Sequence, residues 1–367
     1  MNEFIDENRL RQQILNNVGA WCDLHGVSGY EDDVTQKVFH EIKEYVDDIS
    51  IDPLGNIIGF KKGTGKEKLL IAAHIDEIGL MVRHIDDRGF LYVEKIGGIR
   101  TQNLFARTCS IKTEKGFVDG LVNTINPGRP KAIKEIPEIR EFFIDIGATS
   151  KQEAVEMGIE LGNTVSLNYE FKLLGKNRII GKALDNRLLV FILIEVMKLC
   201  KDTGIETPNI FPVFTVQEEV GCRGARTAAY TVNPDTAIAL DVTVANDTPQ
   251  IAKHDYISQL DHGPGIKLMD KIYNGMGMIS SPKMVQKMKS IARNNNIPFQ
   301  LEVFPSGTTD AAAMHLERGG IPSGGIAIPT RYVHAHEMAS VDDIVHTILF
   351  LFHYIREFKG GHQWQST

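Results

Sequence analysis

The feature that most constrains this chain is a set of short apolar runs that each stop at a side chain able to bind metal or move a proton. The clearest, residues 210–216, is made of strand-type side chains and ends at Glu218 and Glu219, with a turn at Gly221 and a short helical segment behind it. Such unbroken runs suit strands buried on both faces of a parallel or mixed sheet, and open α/β sheets keep their sites at the carboxyl ends of those strands. Adjacent carboxylates repel unless a cation or a proton intervenes. The pair makes chemical sense if one Glu binds metal while the other stays free to handle a proton. Taken alone, it reads better as two solvated charges at a strand end.

Other run ends add to this one. Residues 68–74 end at His74, and Asp76 two positions on could hold its imidazole from behind. Asp185 precedes the apolar helix 188–199, either as an N-cap or as a carboxylate within reach of a metal. Residues 236–241 end at Asp241, and the short run 326–328 leads to His334. Each element alone is a weak signal. Together, two His and three carboxylates, one of them bridging, suit a pair of divalent ions such as Zn²⁺, with Co²⁺ or Mn²⁺ as alternatives. Two-metal sites activate a water and clamp an oxyanion, and an unligated Glu beside them is the expected general base.

The organisation follows from texture. At 367 residues the chain suggests two domains. Helical spacing marks residues 7–24 and 341–358, and Ser28 with Glu31 reads as a capping box opening the next helix. From 77 to 172 short strand-like runs alternate with turns, at 80–85, 90–93, 108–113 and 117–121. This predicts a small β-rich domain, 77–172, inserted into a discontinuous α/β domain formed by 1–76 and 173–367. Residues 123–138, bearing Pro and Lys, read as a loop or an interface arm. A net charge of -7 gives no nucleic-acid footprint. The apolar stretches are too short to span a bilayer and the acidic first residues lack a signal peptide's apolar core. Four scattered cysteines read as reduced thiols, so the expected location is cytoplasmic.

The segments Gly26-Val-Ser-Gly-Tyr-Glu31, Ala73-His-Ile-Asp-Glu-Ile-Gly79, Gly181-Lys-Ala-Leu-Asp-Asn-Arg187, Gln217-Glu-Glu-Val-Gly-Cys-Arg-Gly-Ala225, Leu240-Asp-Val-Thr243, Thr309-Asp310 and Arg331-Tyr-Val-His334 carry a further reading. In this order they resemble metallopeptidase family forty-two, the co-catalytic metal aminopeptidases of the TET and glutamyl-aminopeptidase types. Some of its members bear the name cellulase or endoglucanase M. The resemblance implies a mixed-sheet α/β/α catalytic domain, of the phosphorylase/hydrolase-like kind, with an inserted β-barrel or PDZ-like dimerisation domain. It implies that His74 and Asp241 bind one metal, that Glu219 and His334 bind the other, and that Asp185 bridges. Glu218 would be the general base and Asp76 would orient His74. Peptides would be the substrates, and dimers would assemble into a tetrahedral dodecamer.

The chain departs from the family pattern at Val244, where members often carry His, and at Ser306-Gly-Thr-Thr-Asp310, where Gly-Gly-Thr-Asp is commoner. His336 is an alternative ligand beside His334. Two other readings stand beside the aminopeptidase. A glycoside hydrolase would need two carboxyls flanking a sugar bond and no metals. Another metallo-exopeptidase or a deacylase would share the same metal set.

Overall fold

Leu69, Ile71 and Ala73 of the strand Lys68–His74 enter one buried cluster, and Leu70 and Ala72 enter another. A side-chain period of two with apolar residues on both sides demands cover over both faces of the sheet. Helices supply it. Glu7–Cys22, Asp32–Ile42, Leu184–Thr203, Pro282–Asn294 and Val341–Arg356 fill the first cluster. Arg223–Val232 and Ala311–Met314 fill the second, which is built mainly from alanines and so lets these short helices lie close. The result, in a computed structural model describing residues 5–124, 136–271 and 277–358, is a mixed α/β architecture with helices on both sides of one sheet.

Among the described residues that sheet has twelve strands. Its centre is a parallel quartet in the order Asn209–Thr215, Lys68–His74, Thr236–Val244 and Ser323–Arg331. Antiparallel strands flank it, with Ile57–Phe60 and Asp48–Ile51 on one side and Glu337–Ser340, Arg178–Gly181 and Lys172–Leu174 on the other. Thr215 pairs with His74, and Leu240 pairs with Ala73, so Asp241 and His74 follow at one level of the sheet. The quartet therefore delivers His74 and Asp241 to a single edge.

A closed six-stranded antiparallel barrel stands apart with its own core of Leu80, Val82, Leu91, Ile111, Val122, Ile144 and Val165. Its strands begin at Gly79 and end at Leu167. Four of them were expected from the sequence. Phe142–Asp145 and Thr164–Leu167 were not, because four-residue strands carry too little alternation to register. Residues 125–135, most of the expected loop or arm at 123–138, lie outside the described residues. No helix among the described residues is long and apolar enough to cross a membrane.

The capping box at Ser28 and Glu31 does not form. The helix Asp32–Ile42 has Glu31 at its N-cap without a side-chain capping bond. Both side chains are committed elsewhere: Ser28 Oγ donates to Asp76 Oδ2 at 2.6 Å, and Glu31 accepts the backbone N–H groups of Gly29 and Gln217.

Candidate active site

The residues singled out at the strand ends meet in one place. His74 Nε2 lies 3.1 Å from Asp185 Oδ1 and 3.7 Å from Asp241 Oδ1. His334 Nε2 lies 3.2 Å from Glu219 Oε1 and 3.4 Å from Asp185 Oδ2. Asp185 thus faces one imidazole with each oxygen. Glu218 Oε2 lies 3.9 Å from His74 Nε2. The groups His74, Asp185, Asp241 and Asp185, Glu219, His334 each hold ligand atoms within 4.8 Å of one another.

Asp185 is not a helix cap. It and Asn186 have non-helical backbone at the start of Leu184–Thr203, and Asp185 turns its carboxylate to the imidazoles. Asn186 anchors this turn by donating to the Leu240 carbonyl. Asp76 does more than face His74. Its Oδ1 accepts the N–H of Glu218 at 2.9 Å and its Oδ2 that of Glu219 at 3.1 Å, so one buried carboxylate clamps the loop bearing both glutamates. His74 Nδ1 is 3.2 Å from the Asp76 carbonyl, and His334 Nδ1 is 3.2 Å from the Gly98 carbonyl. A carbonyl only accepts, so each ring donates from Nδ1 to the backbone and turns Nε2 toward the carboxylates. Non-glycine residues with positive φ cluster here, at Ala183, Gln217, Cys222, Tyr332 and His334. Backbone of this kind persists where surrounding contacts over-determine it.

The electrostatics are those of a site short of positive charge. Burial, with Asp241, Asp310 and Glu219 close by, holds the Glu218 carboxyl well above its ordinary value. Burial raises Glu219 and Asp241 as well. Burial also opposes the ionisation of Asp185, but hydrogen bonds from His334 and His74 overcome it and lower that carboxyl. Both imidazoles are pushed up by the carboxylates in spite of burial. A cavity of about 330 Å³ opens over these groups, and its lining has four carboxylates against a single guanidinium, Arg100.

The family model described as M42 glutamyl aminopeptidase matches residues 55–350. This chain belongs to that family. Lysyl aminopeptidase of Pyrococcus furiosus is 35% identical over 340 residues, 91% of this chain and 94% of that one. An aminopeptidase structure from the archaeon Desulfurococcus kamchatkensis is 38% identical, with a TM-score of 0.91 over 97% of both chains. The TET1 peptidase of Pyrococcus horikoshii, described as assembling into a tetrahedron or a large octahedral shell, is 30% identical, with a TM-score of 0.84 over 94% of this chain and 100% of that one. The chain is accordingly a hydrolase, a peptidase of the aminopeptidase type.

Within this M42 chain the departures from the family pattern fall on one surface. Val244, Ser306, Gly307 and Thr308 all line the cavity, beside Val242 and Phe304. His336 is not drawn into either ligand group: its Nε2 is 3.2 Å from the Glu170 carbonyl, and its ring packs on Tyr169. Three residues that the sequence reading assigned no role stand next to the M42 site. Glu337 accepts the N–H groups of Asp185 and His334, tying the two imidazole partners together, and burial raises its carboxyl to about 8. Asp310 lies fully buried behind Glu218 and accepts from Thr215. Gly98 lies against His334: a Cβ there would come within 2.6 Å of Nδ1. Gly98 carried no sequence signal beyond a Gly-Gly pair. Glu337 was visible only as an acid three residues after His334.

Proposed function

We propose that this chain removes N-terminal residues from peptides with two divalent ions per subunit, one held by His74 and Asp241, the other by Glu219 and His334, with Asp185 shared. The observation that carries the reading is the shared carboxylate, each of whose oxygens faces a different imidazole. The donor set fits the ions: two imidazole nitrogens and carboxylate oxygens suit Zn²⁺, and Co²⁺ or Mn²⁺ as alternatives. Carboxylates crowded in a buried site require compensating positive charge.

When bound, such ions polarise a carbonyl and lower the pKa of a water. The chain's own residues do the rest. Glu218, free of both ligand groups, takes the proton of the attacking water and returns it to the leaving amine. Asp76 fixes the loop that carries Glu218 and orients His74. Two imidazoles interleaved with the carboxylates suit metal ligation better than the paired acids of a glycoside hydrolase.

The division into a catalytic domain, 1–76 with 173–367, and an inserted dimerisation domain, 77–172, belongs to this proposal, as does assembly into a homo-oligomer of the tetrahedral dodecamer kind. The barrel's separate core and the likeness to TET1 peptidase support both. Four free thiols support a cytoplasmic setting.

The test is hydrolysis of free-amine and N-blocked aminoacyl anilides, with and without chelator and with metal restored. Metal-dependent release from free-amine substrates alone is expected. Release that survives full metal removal, or that is equal from blocked substrates, overturns the reading.

A further inference from the structure

A third group of donors lies at the back of the same cavity. Glu218, Cys222 and Asp310 hold ligand atoms within 4.8 Å of one another. Cys222 Sγ donates to Glu218 Oε1 at 3.3 Å and faces the Thr309 carbonyl at 3.6 Å. Asp310 is 3% exposed, and its Oδ1 has no hydrogen-bond partner. A buried carboxylate oxygen without a donor is a costly arrangement that a cation would relieve. Glu218 and Cys222 both line the cavity, so an ion reaches them by the route open to substrate. The set contains a thiol, unlike the two ligand groups around Asp185.

We infer that Glu218, Cys222 and Asp310 form a third, inhibitory cation site for thiophilic divalent ions, Cd²⁺ or Zn²⁺ in excess. The inference rests on the reading of Glu218 as the general base: an ion there occupies the carboxylate that must take the proton. Binding displaces the thiol proton to solvent, and the thiolate, two carboxylates and one solvent position complete a four-coordinate shell. Hard ions such as Mg²⁺ and Mn²⁺ gain little from sulfur and do not compete for this site. Cys22, Cys109 and Cys200 do not line the cavity and join no candidate metal group among the described residues, so a thiolate signal reports Cys222.

The experiment uses the full chain already loaded with its two ions, titrated with CdCl₂. Two readouts are followed: the near-ultraviolet thiolate-to-cadmium charge-transfer band, and peptidase activity relative to each variant's own starting rate. Cd²⁺ exchanged into the His and carboxylate sites gives no such band. The band is expected to rise with inhibition in the native chain and to vanish in Cys222→Ala, whose inhibition constant rises about tenfold or more, the scale of losing a metal ligand's support. Asp310→Asn keeps the thiol and is expected to move the band to higher Cd²⁺, which covers the case that Cys222→Ala misfolds. Inhibition without a band, or inhibition unchanged in Cys222→Ala, overturns the site. Turnover of Glu218→Gln without excess metal tests the general-base reading separately, because that assay contains no third ion.

Discussion

Asp76 holds Glu218 by its backbone: Oδ1 accepts that N–H at 2.9 Å and also lies 3.4 Å from His74 Nδ1. One carboxylate thereby sets both the position of the proposed base and the direction of an imidazole. Asp76→Ala is expected to lower metal affinity by about 10–100-fold, and to cut turnover even at saturating metal because the loop at 218–219 loses its clamp. Metal titration paired with kcat separates the two effects. A variant with lowered affinity but full turnover at saturation would reduce Asp76 to a role behind His74 alone.

Glu218→Gln keeps the shape and removes the proposed proton acceptor. Metal content is expected to stay at the native level while kcat falls by about 10²–10⁴-fold. Elemental analysis of the purified variant, beside its anilide kinetics, checks both halves. Near-native kcat would remove Glu218 from the proton transfer.

Gly98→Ala tests a contact across the molecule. The added Cβ would meet His334 Nδ1 at 2.6 Å, so the ring must turn away from the Gly98 carbonyl and from Glu219. The variant is expected to lose about one of the two ions per subunit first, as a disturbed ligand orientation weakens its own site. Equilibrium dialysis against a graded metal buffer reads this directly.

His25 gives a pH prediction outside the ligand groups. Its Nε2 is 2.8 Å from Thr164 Oγ1, and burial pushes its pKa down to about 4. The charged form is penalised in the folded state only. The unfolded chain therefore binds the extra proton first, and stability is lost as pH falls from the ordinary histidine value near 6.5 toward 4. The slope is at most about 1.4 kcal/mol per pH unit for this one group. Denaturant midpoints from pH 7 to 4 are expected to fall more steeply for the native chain than for His25→Gln.

Leu193 sits fully buried in the helix Leu184–Thr203, whose first residues place Asp185. Leu193→Ala is expected to cost about 2–5 kcal/mol through lost burial and the cavity left behind. Urea unfolding measures it.

The sheet edge was legible because each central strand spells itself twice, as an apolar run and as the polar residue that ends it. Lys68–His74 could be read in that way with its terminal His74, and so could Asp241, although its strand, Thr236–Val244, runs on past the residue at which the apolar run breaks. What the sequence hid depends on distance through space. Ser28 and Glu31 have the spacing of a local cap, yet Asp76 and Gln217, from other parts of the chain, capture both side chains. Glu337 looks like an ordinary acid, and Asp310 like a motif residue without a role, until the fold sets them beside Asp185, Thr215 and Glu218. Local spacing reports such residues poorly, because the competing partner lies on another element.

Gly98 belongs to a loop of the barrel, between the strands Leu91–Ile96 and Arg107–Thr113, whereas His334 belongs to the turn joining Ser323–Arg331 to Glu337–Ser340 of the sheet. From the same loop region Asn103 donates to the His334 carbonyl. A chimera that took its barrel from a relative would therefore import part of the hydrogen bonding around His334, the histidine proposed as a ligand. Activity in such a hybrid would be jointly inherited, with neither parent contributing a self-sufficient catalyst.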